Sequence, residues 1–330
     1  MARVRGRPDL GHGLWFSRFY GGPGKSAAAP RRPAYACQVD LDPRAVRWVE
    51  RSVGGRVSMV LPLVGGITAG MYRIQISRGQ GRLYAVVLRQ WDGRFAVDAA
   101  ALVRREAHAL QTLVGTGIPA PRLEAADPSG VEAGVPSLLM SLAPGEVDLT
   151  PTDFDAWLHE LAATLVAIHA TGIEAEPYES WISSALPAWA EGDDLWGRAF
   201  ATAWALPSTV QRVFLHRDFQ HFNVLWRDGR VSGVVDWPNA ATGPRGIDVG
   251  HCRLNLAALY SAEAAERFLE IYQAQAGQLV DPRADIAALC SFGPDWPQFL
   301  PRQVAGRTLV DTTGMRRRVE DVLRRALRRL

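Results

Sequence analysis

The sequence predicts an α+β fold of two lobes, a smaller one built on antiparallel sheet and a larger one that is mainly helical. Three observations carry this reading. The chain has 330 residues, about twice the size of a usual single domain, which gives room for two lobes that each bury a core. Between residues 56 and 89 a strand pattern, a Gly-rich turn and two more strand patterns follow one another through short connections, as antiparallel sheet does. Beyond Ala143-Pro144-Gly145 the apolar spacing changes to three and four, the period of helices.

Taken in order, residues 1–35 are rich in Gly, Pro, Arg and Ala without periodicity and read as a loose basic extension. Strands are expected over Arg56–Leu63, Met71–Ile76 and Leu83–Arg89, with Gly65-Gly66-Ile67-Thr68-Ala69-Gly70 as the first turn. Asp98 is placed to cap a helix that runs to about Leu113, because Pro119 and Pro121 lie beyond its end. Leu138–Leu142 is an apolar strand. Thr150 as N-cap and Pro151 at the first helical position introduce a helix carrying Phe154, Trp157, Leu158, Leu161, Leu165 and Ile168. Strands Asn223–Trp226 and Val231–Trp237 are joined by Arg227-Asp228-Gly229-Arg230, whose Asp-Gly pair is a hairpin signal. Two helices are expected between Ile247 and Tyr272, then a looser segment with Pro and Trp, then a final helix over Met315–Leu330. The lobes divide as 36–143 and 144–330.

Composition excludes several classes. Hydrophobic residues at 48% and charged residues at 22% describe an ordinary globular protein. No apolar run reaches the roughly 20 residues that cross a bilayer, and the first 35 residues lack the apolar core of a secretory signal, so a cytoplasmic location is expected. Cys37, Cys252 and Cys290 are odd in number and widely spaced, which suggests buried free thiols and neither a disulfide framework nor a zinc site. The net charge of +3 is unevenly spread. Seven basic side chains lie in residues 1–35 and seven arginines in 315–330, so the body between them is acidic. No aromatic-interleaved basic face accompanies these ends, so solvated tails are expected and a nucleic-acid partner is not. An acidic body suits a cationic small substrate.

The chemistry is concentrated in His216-Arg217-Asp218-Phe219-Gln220-His221-Phe222-Asn223, which places a carboxylate and a carboxamide five residues apart in a loop before a strand. Asp236 follows thirteen residues later at the end of the hairpin, which would fold it back beside Asn223. Phosphoryl transfer asks for these parts: a carboxylate that orients an acceptor hydroxyl and takes its proton, and oxygen ligands for the magnesium that bridges nucleotide phosphates. No Walker Gly-x-x-x-x-Gly-Lys-Ser/Thr run and no Gly-x-Ser-x-Gly elbow is present, which removes P-loop ATPases and serine hydrolases.

The run His216, Asp218, Asn223 and Asp236 resembles the pattern of the aminoglycoside phosphotransferase family, whose members have a protein-kinase-like fold. The resemblance implies a nucleotide-covering N-lobe over 36–143 and a catalytic, substrate-binding C-lobe over 144–330. It implies Asp218 as catalytic base and Asn223 and Asp236 as magnesium ligands. Asp248 in Ile247-Asp248-Val249 would brace the catalytic loop. Gly66 and Thr68 would belong to the phosphate-covering turn, Arg89 would stand where better-known members have the phosphate-binding lysine, and Glu106 would be its ion-pair partner. Leu139-Met140-Ser141-Leu142-Ala143 resembles the interlobe hinge, with adenine met by the backbone of Ser141 and Ala143. Arg217 departs from the family, many of whose members have Gly there. The cofactors implied are ATP, with GTP as the alternative, and magnesium.

The resemblance therefore implies transfer of a γ-phosphate to a hydroxyl of a small molecule. The short connection from Asp236 to Asp248 leaves no room for a protein-kinase activation segment. Glu174, Glu176, Glu179, Glu191, Asp193 and Asp194 precede the catalytic loop and could meet the amino groups of an aminoglycoside; exposed acids that recognise nothing are the other reading. A noncatalytic nucleotide-binding or interaction protein on the same scaffold is the alternative function. His169 is expected to pack, His216 to brace its loop, and His251-Cys252 lacks the further ligands that a metal site needs. Oligomeric state is not legible.

Overall fold

Antiparallel pairing is the frame of the smaller lobe. The computed structural model describes residues 39–63, 69–79, 82–93, 98–207, 210–294, 296–304 and 306–330. The expected basic extension over 1–35, Cys37, Gly66 and Thr68 lie outside the described residues. Strands β1 (Arg56–Pro62), β2 (Gly70–Arg78), β3 (Arg82–Gln90), β4 (Leu123–Asp127) and β5 (Ser137–Ser141) form one sheet in the order β1-β2-β3-β5-β4, and every neighbouring pair is antiparallel. Side chains alternate across a strand, so Val86 and Leu88 of β3 join Ile74, Ile76 and Leu139 on one face. Helix α1 (Pro43–Val53) covers that face with Ala45, Trp48, Val49 and Val53. Val87 and then Arg89 point the other way, towards α2 (Ala99–Thr112), whose N-cap is Asp98 as expected. Sequence reading did not anticipate α1, although Asp42 caps it by accepting from the Arg44 N–H and Pro43 stands in its first turn.

The larger lobe holds α3 (Phe154–His169), α4 (Asp194–Trp204), α5 (Gly246–Leu259), α6 (Ala262–Ala276), α7 (Pro282–Cys290), α8 (Trp296–Val304) and α9 (Met315–Leu327). Two small antiparallel pairs are embedded in it: β6 (Arg212–Leu215) with β9 (Ala241–Pro244), and the hairpin β7 (Val224–Arg227) with β8 (Arg230–Val234). The hairpin turn has Asp228 at φ 52° and Gly229 at φ 72°, the two positive values that a two-residue turn of this kind requires. Every residue of α5 is buried. A Cβ on Gly250 would come within 2.6 Å of the Asp285 carbonyl, so glycine there allows α5 and α7 to touch backbone to backbone.

Three expectations are corrected. Helix α3 starts later than Thr150 and Pro151 suggested, because Asp153 is the residue whose side chain accepts from a first-turn N–H, that of Ala156. The segment expected to be loose contains α7 and α8. Helix α7 is buried on every side, so it carries no amphipathic stripe to read. The basic C-terminus is not a solvated tail: Met315, Val319, Val322, Leu323, Ala326 and Leu327 are buried along one face of α9. Two arginines of this end reach partners on other elements of the lobe. Arg318 donates to the carbonyls of Ala257 and Ala258 at the end of α5, at 2.9 and 2.7 Å, and Arg329 meets Asp285 and Glu266 at 2.6 and 3.0 Å.

Apolar burial and not charge therefore anchors α9. Leu323→Ala is expected to cost about 2–5 kcal/mol, read as a lower urea midpoint, whereas Arg325→Ala, which loses a solvent-facing pair with Glu263, is expected to leave the midpoint nearly unchanged.

Candidate active site

The loop between β6 and β7 carries the polar residues singled out in the sequence, and its shape is unusual. Arg217 has φ 71°, a left-handed conformation that costs a residue with a Cβ roughly 1–2 kcal/mol. Glycine is free of that cost, so the family preference for Gly at this place has a steric reason. In this chain the Arg217 guanidinium lies against the rings of Tyr178 and Trp181, 4.4 and 3.8 Å from their centroids, and donates to the Glu179 carbonyl at 3.2 Å. Such cation–π contacts contribute about 0.5–2 kcal/mol each, enough to offset the backbone strain.

Asp248 holds this loop from beneath. Its carboxylate accepts from the main-chain N–H groups of His216 and Arg217, both at 2.7 Å. It also meets His169 Nε2 at 3.2 Å, and His169 Nδ1 is 2.6 Å from the Tyr272 hydroxyl. Bracing by Asp248 is thus present, and His169, expected only to pack, is part of the brace. Burial alone would push the Asp248 carboxyl up, but the hydrogen bond and charge of His169 and the two N–H donors hold it below the usual carboxylate range. His216 braces too. Its Nε2 donates to the Val235 carbonyl at 3.0 Å while Nδ1 accepts from the Asp218 N–H at 3.2 Å, which fixes one tautomer.

Asp218 is met by three side chains. Gln220 Nε2 donates to Oδ1 at 2.8 Å, and Asn223 Nδ2 donates to Oδ2 at 3.1 Å and to the Asp218 carbonyl at 2.9 Å. The third is His251 of α5, whose Nε2 is 2.8 Å from Oδ1. The hairpin does fold back as expected: the Val235 N–H donates to the Asn223 carbonyl at 2.9 Å, which sets Asp236 beside Asn223. With Nδ2 of Asn223 committed to Asp218, its Oδ1 and the Asp236 carboxylate are oxygen ligands of the kind that hard divalent cations take.

Asp236 stands at φ 72° and accepts from Arg89 Nη1 at 2.7 Å. The same nitrogen is 3.1 Å from both carboxylate oxygens of Glu106, so the expected Arg89–Glu106 pair is present and buried. Glu106 also accepts from the Trp237 N–H at 3.2 Å. Burial pushes Glu106 up to about 7, against the pull of Arg89. Burial would lower Arg89, but Asp236 and Glu106 together raise it above the ordinary arginine value, and its Nε has no partner.

Other expected positions fall differently. The Ser141 N–H is given to the Arg122 carbonyl at 2.8 Å, so of its backbone groups only the carbonyl could meet an adenine; Ala143 follows β5 and is half-buried. Glu174, Glu176, Glu179, Glu191 and Asp194 are exposed. Asp193 is structural, because it caps α4 and pairs with Arg316 at 3.2 Å. Cys252 and Cys290 are buried free thiols, raised by burial. Among the described residues no three His, Cys, Asp or Glu gather as a metal cluster, and no helix is long and apolar enough to cross a membrane. Gln220 and His251 were missed; the only signal for His251 is that it follows Asp248 by three positions, which puts both on one helix face.

Residues 60–285 match the model of the phosphotransferase enzyme family, APH. No protein of curated function matches the chain. Among solved structures it is similar to a Ralstonia eutropha JMP134 protein assigned as an aminoglycoside phosphotransferase, at 16% identity and TM-score 0.60, over 88% of this chain and 99% of that one. It is similar to the streptomycin–ATP–APH(2")-IIa ternary complex at 17% identity and TM-score 0.52, over 82% and 98%. It is also similar to the macrolide 2'-phosphotransferase MphH of Brachybacterium faecium at 17% and 0.51, over 83% and 96%.

Two outcomes follow from the charges. Asp248→Asn turns an amide N–H₂ towards the loop N–H donors and should cost about 3 kcal/mol, seen as a lower unfolding midpoint. Burial depresses His169 and His216, and His221 falls to about 3 with no partner for either ring nitrogen. Below about pH 6.5 the unfolded chain binds more protons at these residues than the folded chain does, so their contribution to stability falls as pH drops through that value. Glu106, raised in the folded state, opposes this with one proton as pH falls below about 7. His221→Phe should remove about 1.4 kcal/mol of the stability lost at the histidines between pH 7.5 and 5.5, read by urea unfolding.

Proposed function

The chain belongs to the phosphotransferase enzyme family and is a small-molecule kinase; from that premise we propose that it transfers the γ-phosphate of ATP, carried with magnesium, to a hydroxyl of an amine-bearing small molecule of aminoglycoside type. The observation that carries this reading is the convergence of Asp218, Asn223 and Asp236 through the Val235–Asn223 main-chain bond and the Asn223–Asp218 side-chain bond.

Asp218 accepts a hydrogen bond from the acceptor hydroxyl and takes its proton as the oxygen attacks the γ-phosphorus, while the bond from that phosphorus to the β–γ bridging oxygen breaks and ADP leaves. Its carboxylate is already oriented by Asn223, Gln220 and His251, so little reorganisation is needed, which is where positioning lowers a barrier. Asn223 Oδ1 and Asp236 would hold the divalent ion, which when bound neutralises phosphate charge and orients the oxygens. Two protein ligands suit magnesium, which keeps waters and phosphate oxygens for its remaining positions. Arg89, fixed by Glu106, presents its guanidinium beside Asp236 and would carry positive charge to the phosphates. Ala143 would supply main-chain contact to adenine.

The acceptor class is supported by exposed carboxylates beside the loop. The Glu176 carbonyl accepts from the Thr242 N–H at 2.8 Å and the Glu179 carbonyl from Arg217, so the backbone ties the segment bearing these acids to the catalytic strands. A neighbouring structure holds streptomycin, a cationic small molecule, together with ATP, and a macrolide 2'-phosphotransferase among the neighbours defines the competing class.

The test is magnesium-dependent transfer of labelled γ-phosphate from ATP, and from GTP, to aminoglycosides, macrolides, amino alcohols and sugars. Transfer to an aminoglycoside is expected, with Asp218→Asn lowering kcat on the order of 10²–10⁴-fold while nucleotide affinity is kept. Wild-type turnover in Asp218→Asn would overturn the assignment of the base. Nucleotide binding without transfer to any acceptor would favour a noncatalytic scaffold.

A further inference from the structure

His251 touches the group proposed to do the chemistry but belongs to no motif residue that carries the family resemblance. We propose that His251 is a positioning residue for Asp218, which locks one carboxylate oxygen so that the other is presented to the acceptor hydroxyl. The inference rests on the phosphotransfer reading above.

The argument begins with lone pairs. A carboxylate oxygen has about two acceptor sites, and Oδ1 of Asp218 already faces two donors, Gln220 Nε2 and His251 Nε2, both at 2.8 Å. Oδ2 faces one, Asn223 Nδ2 at 3.1 Å, and so keeps a site for an incoming O–H. The histidine tautomer follows from its surroundings. The Asp218 carboxylate can only accept, so Nε2 carries the proton. Asn255 Nδ2 lies 3.3 Å from the same nitrogen but donates to the His251 carbonyl at 3.0 Å.

Packing does not account for an imidazole here. Nδ1 of His251 is buried without a hydrogen-bond partner, an arrangement that costs stability. The ring lies 4.7 Å from that of Phe292, and a phenyl group could fill this place with no orphaned nitrogen. What only the imidazole supplies is the N–H to Asp218. Its support is rigid: His251 lies within a helix buried on all sides, on the face that also carries Asp248, so one helix fixes the loop backbone through Asp248 and the base through His251.

The test compares His251→Phe, His251→Gln, Asp218→Asn and the double variant His251→Phe with Asp218→Asn. Transfer from magnesium–ATP is measured to the acceptor that the wild type uses, or to water as slow hydrolysis. His251→Phe is expected to lower kcat about 10- to 100-fold with KM for both substrates and the urea midpoint held or the midpoint raised. His251→Gln, whose amide N–H can reach the same oxygen, should recover most of the rate. In the Asp218→Asn background, His251→Phe should lose nothing more. An unchanged kcat in His251→Phe, a loss confined to KM or to the midpoint, or a loss that multiplies with Asp218→Asn would overturn the proposal. Should the wild type turn over neither acceptor nor water, the phosphotransfer reading fails, and the imidazole ¹⁵N spectrum judges the contact separately. An Nε2-protonated ring whose Nε2 resonance moves in Asp218→Asn upholds it, and one that does not move overturns it.

Discussion

A single buried carboxylate, that of Asp248, sets the geometry on which the candidate site depends. A loop that passes through a left-handed residue at Arg217 turns its N–H groups inward, where each needs an acceptor. Asp248 supplies both acceptors and is in turn held by His169, which Tyr272 fixes from α6. Helices α3, α5 and α6 thereby meet the loop through three side chains and two main-chain N–H groups in one network. A satisfied network of this kind is rigid because none of its members can leave without orphaning another in a low-dielectric interior. Asp218 projects from that loop, so its position is inherited from α5.

The second constraint joins the lobes. Glu106 on α2, Arg89 on β3 and Asp236 after β8 share one arginine nitrogen. Two carboxylates face one guanidinium: burial pushes Glu106 up and the Asp236 charge adds to that rise, while the two carboxylates together hold Arg89 protonated. An unbalanced buried charge is costly. The imbalance is relieved when positive charge arrives next to Asp236, and a divalent ion at Asp236 and Asn223 would be such a charge. The Trp237 N–H bond to Glu106 attaches the Asp236 segment to α2 independently of Arg89.

Much of this was legible in the sequence, for reasons that can be named. The small-lobe strands and the β7–β8 hairpin follow from period-two patterns and from Asp228-Gly229, whose positive φ values were implied by residue type. The order His216, Asp218, Asn223, Asp236 fixed the polar set because hairpin closure over so short a distance leaves few arrangements. Helix α7 was hard to read because a buried helix loses the polar stripe that marks a period. The basic C-terminus was misread since charge counts cannot tell an arginine that faces water from Arg318 capping the carbonyls of Ala257 and Ala258. His251 was invisible for a different reason: its partner, Asp218, is a side chain on another element, and only tertiary packing reveals it.

Arg217 shows how a departure from a family pattern alters more than its own position. Glycine would adopt φ 71° without strain but would leave the loop unattached on its outer side. Arginine accepts roughly 1–2 kcal/mol of backbone cost and returns it through Tyr178, Trp181 and the Glu179 carbonyl. Trp181 then packs edge-on against Phe292, at 5.9 Å, and Phe292 against His251. The contacts close a circuit from Arg217 through Trp181, Phe292 and His251 back to Asp218, the residue next to Arg217. In such a circuit the segment carrying Glu176 and Glu179 cannot shift without moving a ring that bears on the base. The strain at Arg217 is thus coupled to the acceptor side, so the segment that would meet the acceptor and the loop that would deprotonate it form one mechanical unit.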